Sequence, residues 1–213
     1  MSRKIETKIS KKRLQTDLEA YRKYALDLGG DARIIKAGDV IIDERVLAKC
    51  MNPKCQYYGT CLNCPPHSMS PEQTQRVVDK FSYGIIVKIN MPTDAVVSKT
   101  SKKSSQRSNS YRRKLAEIVA KIEARAFYDG HYLALGFACA SCRNYLCKGS
   151  ECAAINKGQS CRYPLLARSS MEAVGIDAYR MAARAGWDIY PIGKATQIAD
   201  APHATRLGLV LID

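Results

Sequence analysis

The sequence predicts a layered α/β (or α+β) fold: a single core of a few strands flanked by helices, with two cysteine-rich metal-binding loops. Three observations lead there. Segments of helical apolar period alternate with short β-branched runs. A length of 213 residues suffices for one substantial core and is short for three domains. Nine cysteines fall into two tight groups with 74 cysteine-free residues between them.

Residues 1–30 read as a basic N-terminal tail and a helix. Leu14, Leu18, Tyr21 and Ala25 recur at helical spacing over 11–28, and Gly29-Gly30 stops the run. Residues 31–213 read as one metal-binding domain. Its first elements are expected as short strands at 32–36 and 39–46 about a turn at Gly38, followed by loop-like sequence from Cys50 to His67. Ser70, Pro71 and Gln73 form a capping-box start for a second helix with Val77, Val78 and Phe81 on its apolar face. Residues 83–89 (YGIIVKI) read as a strand buried on both faces. Residues 98–110 are Ser/Lys-rich with almost nothing apolar and are expected as a flexible basic loop. Helical period returns over 111–128 in Leu115, Ile118, Val119, Ile122 and Ala126. A strand at 131–138 runs into the second cysteine group, helices at 169–174 and 177–186 are broken at Gly175, and a strand at 206–212 follows. This order suggests one core with both cysteine loops on its surface, close together in space.

The net charge of +14 is unevenly distributed. Residues 1–13 carry six Lys/Arg against one Glu, and residues 98–114 carry seven with no acid, which accounts for twelve of the excess charges. A nucleic-acid-binding fold spreads its basic residues over a folded face. Here they sit in two local segments, so solvated basic segments are the favoured reading, and a phosphate, RNA or acidic-protein partner the alternative. No run approaches the roughly 20 apolar residues of a membrane span. No apolar stretch follows the basic start as in a secretion signal, so a cytoplasmic location is expected. The sequence holds no P-loop, no G-x-G-x-x-G and no readable Ser-His-Asp order, with only His67, His131 and His203 available.

The cysteines carry the chemistry. Cytosolic thiols are kept reduced and the cysteine number is odd, so a disulfide framework explains them poorly. The first group, Cys50, Cys55, Cys61 and Cys64, has the spacing C-x4-C-x5-C-x2-C followed by two prolines and His67. Thiolates favour zinc or iron–sulfur clusters, and four satisfy either. Only one C-x2-C knuckle is present, unlike a zinc ribbon, and Cys64-Pro65 is similar to the Cys-Pro that closes a ferredoxin ligand run. The [4Fe-4S] cluster is the preferred cofactor, one or two per chain, and zinc the alternative. His67 is a ligand, a proton donor or a loop residue without a role. Tyr57 and Tyr58 cover the site or belong to the core.

The second group, Cys139, Cys142, Cys147, Cys152 and Cys161, has the spacing C-x2-C-x4-C-x4-C-x8-C and one thiol more than a single cluster takes. Cys139 and Cys142 are the strongest pair by spacing. Cys161 is preferred for the proline close behind it, and Cys147 and Cys152 compete for the remaining place. Arg143, Lys148 and Arg162 lie among these thiols, as exposed loop charges or as cations that offset cluster charge.

These motifs together resemble a known family, the predicted metal-binding proteins grouped as domain of unknown function 2284. The matching elements are Lys49-Cys50, Cys55 with Tyr58-Gly59, Cys64-Pro65-Pro66-His67, Pro71, the YGIIVKI strand, Cys139 and Cys142, and Cys161-Arg162-Tyr163-Pro164. Ser170-Met171-Glu172-Ala173, Gly175-Ile176-Asp177 and Ala185-Gly186-Trp187 complete the set, so the resemblance runs from about residue 40 to the C-terminus. It implies cysteine-ligated metal, iron–sulfur in character and frequent in anaerobes, and no particular reaction. Its first-group ligands would be Cys50, Cys55 and Cys64, with Cys61 additional, and the stretch from Cys142 to Cys161 is longer than the family's compact run.

Three functions follow as expectations. The first is an electron-transfer or redox protein with one or two clusters and a redox partner protein. The second is an iron–sulfur enzyme in which a three-cysteine cluster offers an open iron to a small-molecule substrate. The third is a structural zinc protein that binds RNA or a partner through the basic segment, which offers only Tyr111 for base stacking. Whether the protein is an enzyme stays open.

Overall fold

The computed structural model describes residues 2–97, 102–156, 158–193 and 195–213, with side chains of 102–104 aside. Helix α1 (Lys11–Asp27) begins where the Ser10 side chain accepts a hydrogen bond from the Arg13 amide, and it buries Leu18, Tyr21 and Ala25 one turn apart. Gly29, at φ +81°, turns the chain into strand β1 (Asp31–Lys36). Helix α2 (Glu44–Met51) follows, then helix α3 (Pro71–Val78), strand β2 (Tyr83–Met91), helices α4 (Asp94–Val97) and α5 (Lys102–Tyr128), and strand β3 (Leu135–Phe137). Short helices α6 (Cys142–Tyr145) and α7 (Ala153–Asn156) lie within the second cysteine group. Helix α8 (Ala178–Arg184) and strand β4 (Ala204–Ile212) complete the order.

The four strands make one sheet, β1-β2-β4-β3, antiparallel throughout. Both faces are covered. Leu18, Tyr21 and Ala25 of α1 and Leu115, Ile118, Val119 and Ile122 of α5 pack on Ile85, Val87, Ile89, Val210 and Ile212. On the opposite face Met171, Val174, Ile176, Met181 and Trp187 pack on Ile86, Phe137, Leu207, Leu209 and Leu211. This explains why β2 and β4 read as continuous apolar runs in an antiparallel sheet: the two covering layers, and not strand direction, demand apolar residues at odd and even positions alike. Each large aliphatic side chain so buried contributes about 1.5–3 kcal/mol. Helix α5 lies close on the sheet because Gly136 and Gly208 leave room; a Cβ on either would stand 2.7 Å from a Val119 methyl.

Several elements differ from the sequence expectation. Residues 39–46 are not a strand. Ala37–Asp39 is a 3-10 turn, Ile42 makes an isolated bridge to Ile176, and the Asp43 carboxylate accepts from the Arg45 amide to start α2. The N-cap at Asp43 prevails over the β-branched pair Ile41-Ile42. The basic stretch expected as a loop at 98–110 is helical from Lys102, and residues 98–101 lie outside the described ones. The apolar half of α5 is nucleated by docking on the sheet, so extension into a polar sequence adds one hydrogen bond per residue without a new nucleus. The strand expected at 131–138 shrinks to Leu135–Phe137, because the chain turns to bury His131. The helix expected at 169–174 is a 3-10 turn at Glu172–Val174, ended by Gly175 at φ +84°. The capping box at Ser70 and Gln73 forms as read, with Pro71 in the first turn. Among the described residues no helix is long and apolar enough to cross a membrane.

The basic start of the chain is anchored by acids. Arg3 binds Asp17 at 2.8 Å and Asp129 at 3.4 Å, and Arg13 binds Glu6 at 2.7 Å and donates to the Asp129 carbonyl at 2.7 Å.

Candidate metal centre

Helix α2 carries Cys50 in its last turn, and the loop after it is folded by its own backbone. The Cys55 amide donates to the Cys50 carbonyl at 2.9 Å, Gly59 to Pro65 at 2.7 Å and Cys64 to Cys61 at 3.0 Å. These turns bury Cys61 and Cys64 and leave Cys50 and Cys55 half-buried. The loop packs on Ala116 of α5, on Tyr145 and Leu146, and on the start of the second cysteine group.

There the two groups meet. Cys61 Sγ lies 3.4 Å from Cys142 Sγ, although 81 residues separate them in sequence. The Cys64 thiol donates to Ser141 Oγ at 3.3 Å, and the Asn63 amide donates to Cys142 Sγ at 3.5 Å. Between Cys139 and Cys142 the backbone at Ala140 holds φ +56°, a left-handed conformation that disfavours a residue with a Cβ. Such strain persists only where the surroundings over-determine it, and here it aims Cys139 and Cys142 in different directions. Cys142 turns to Cys61, while Cys139 turns to a pocket of about 280 Å³ whose wall also includes Cys50, Cys55 and Cys64. Tyr57, Tyr58, Glu172 and Arg206 share that wall, as do the apolar Ile189, Ile192 and Leu207.

The electrostatics of the site disfavour free thiolates and favour bound ones. Burial pushes the Cys139 thiol up to about 12 and raises Cys50 as well. Cys142 and Cys64 are raised by the closeness of Cys61 and by burial, and Cys61 is lowered by the same neighbours. A soft cation that replaced the thiol protons would offset the cost of burying sulfur in its charged form. The Glu172 carboxyl is likewise raised by burial. Among the described residues no three His, Cys, Asp or Glu side chains are already arranged around a single metal ion.

The rest of the second group stands apart. Burial raises the Cys147 thiol, the charge of Arg162 acts in the opposite sense, and Cys161 and Cys152 are near enough to add to the rise. The Tyr163 amide donates to Cys161 Sγ at 3.4 Å. Arg143 and Arg162, expected among the thiols, are tied to loop carbonyls: Arg143 to Ser150 at 2.8 Å and Gly149 at 3.2 Å, Arg162 to Glu151 at 2.8 Å. His67 is exposed and outside the pocket wall. Tyr57 and Tyr58 line the pocket, and Tyr57 also packs against the core cluster that holds Cys61, Cys64 and Cys142.

Sequence reasoning did not single out Ser141, Asn63, Arg112 or Arg206. Ser141 lies within the C-x2-C knuckle, where a polar residue between ligands was a usable signal. Nothing in spacing ties Arg112 or Arg206 to any cysteine. A family model described as predicted metal-binding protein (DUF2284) matches residues 33–212. No curated protein and no solved structure matches the chain.

Proposed function

The chain belongs to the DUF2284 family of predicted metal-binding proteins, and from that premise we propose that it is an iron–sulfur protein that holds one or two [4Fe-4S] clusters and works in redox or electron transfer. One observation carries the reading: thiols from two groups far apart in sequence converge, with Cys61 on Cys142 and Cys139 sharing a pocket with Cys50, Cys55 and Cys64. The donor set is sulfur-rich, and four thiolates, one per iron, match that pocket wall. Cys147, Cys152 and Cys161 supply a second set. The clusters would contribute one-electron chemistry. The chain's own residues would bind them, exclude water through Tyr57 and Tyr58, and offset their charge.

A second reading is favoured by the pocket itself. A volume of about 280 Å³ lies close to the lower end of small-molecule sites, roughly 300–1,000 Å³. Its apolar lining residues, Ile189, Ile192 and Leu207, offer no metal ligand but suit a small substrate beside the thiols, as an iron–sulfur enzyme requires.

Protein purified without oxygen and assayed for iron, acid-labile sulfide and zinc tests both. About eight irons and eight sulfides per chain, with absorption that bleaches under dithionite, support two clusters; about four support one. Zinc without sulfide, in protein never exposed to air, overturns the cluster reading.

A further inference from the structure

We propose that Arg112 and Arg206 form a half-buried cationic wall behind the thiols that offsets the negative charge of the metal–thiolate centre and raises its reduction potential. The inference rests on the cluster reading above. It assigns a role to two residues that lie in neither cysteine group.

The placement comes from a covering helix and from the sheet beneath it. Arg112 stands one turn before Ala116 on α5, and Ala116 packs against Cys61, Cys64 and Cys142. Arg206 lies on β4 two residues before Gly208, on the face that Val119 of α5 covers, and it lines the thiol pocket with Cys64 and Cys139. Each guanidinium is partly anchored by a neutral group: Arg112 Nη1 donates to Asn109 Oδ1 at 2.6 Å, and Arg206 Nη2 donates to Ser108 Oγ at 3.1 Å. The Nε atom of each is shut off from solvent and has no hydrogen-bond partner among the described residues. The ion pairs of the described residues include neither arginine.

Two neighbouring half-buried cations with their Nε atoms shut off from solvent are costly without an anion, since arginine does not give up its proton. Arg112 is held below the usual guanidinium range by burial and by the charge of Arg206, and Cys139 is the first group to act in the opposite sense. Among the described residues that line the pocket Glu172 is the only carboxylate, so it can balance one of the two charges at most. A cluster bound by thiolates supplies the missing negative charge. On reduction it takes one electron from the donor and becomes more negative, so cations on its border favour the reduced form. Arg143 and Arg162, spent on backbone carbonyls, shape the loop instead.

The test compares the protein with Arg206→Gln, Arg112→Gln and the charge-keeping Arg206→Lys, all prepared without oxygen and titrated with dithionite through mediators. Iron and sulfide are assayed in the same samples. At fixed ambient potential the reduced-to-oxidised ratio of the cluster should fall about tenfold in Arg206→Gln, equivalent to about 59 mV for one electron. Arg112→Gln should move it the same way, and Arg206→Lys should restore most of it. Should the glutamine variants fail to hold the cluster, retention by Arg206→Lys alone supports the charge role, and equal loss in all three overturns it. Full iron and sulfide with an unmoved ratio also overturns it and leaves the cluster reading intact. Absence of iron and sulfide from the parent protein removes the cluster reading and this inference with it.

Discussion

Two charged corners of the same three-layer core are built differently. Beside the middle of α1 every buried charge has a partner. Asp17 takes Arg3 at 2.8 Å and His131 Nε2 at 3.2 Å, His131 Nδ1 meets the Asp213 carbonyl, and the Tyr21 hydroxyl donates to Asp129 at 3.2 Å. Beside the thiols, Arg112 and Arg206 have an amide and a hydroxyl for partners and their Nε atoms face nothing. Asp17 and His131 are buried and paired, whereas Arg112 and Arg206 are half-buried and leave their Nε atoms without a partner among the described residues. A closed network is complete as part of the fold, whereas the open one beside the thiols leaves donors without a partner among the described residues.

The largest effect that sharpens this contrast belongs to the thiols. Cys64→Ser or Cys139→Ser should remove more than half of the bound metal, read as iron per chain, while Asp17→Asn leaves metal content unchanged. A loss of iron in Asp17→Asn as large as in Cys64→Ser would break the comparison. Next comes the closed corner itself. Asp17→Asn strands His131 and Arg3, and because Arg3 is 45% exposed the loss should fall somewhat below that of a fully buried pair, about 2–4 kcal/mol by urea unfolding. Tyr21→Phe removes one hydroxyl from the network and should lower stability by about 1 kcal/mol on the same measurement. The smallest change is Arg107→Ala. Its pair with Asp94 at 2.8 Å is half exposed on the guanidinium side, so a loss under about 0.5 kcal/mol is expected. A loss above about 1 kcal/mol would mean that the polar half of α5 contributes more to the fold than its exposure indicates.

Much of the scaffold was legible because local chemistry decided it. The stripe Leu115, Ile118, Val119, Ile122 and Ala126 is the face that packs on the sheet, and the capping box at Ser70 forms as its residues require. Reading failed where long-range packing outweighed local preference. Residues 102–110 look unable to pack, yet they extend a helix that is docked elsewhere, and Ile41-Ile42 has strand chemistry beside a stronger cap at Asp43. The centre was legible as two cysteine clusters but not as an arrangement. Spacing cannot say that Cys61 turns to Cys142, that Cys139 joins Cys50, Cys55 and Cys64, or that Cys147, Cys152 and Cys161 stay apart.

By itself, then, the sequence determined the donor chemistry, the family and the run of apolar faces, because these depend on residue type and short-range period. Only the tertiary structure decided the antiparallel strand order, the partition of the thiols and the approach of Arg112 and Arg206 to them. Each of those brings together atoms from segments tens to more than a hundred residues apart. Such contacts form only once the sheet and its two covering layers close, and no local pattern encodes the distance between groups carried on different layers.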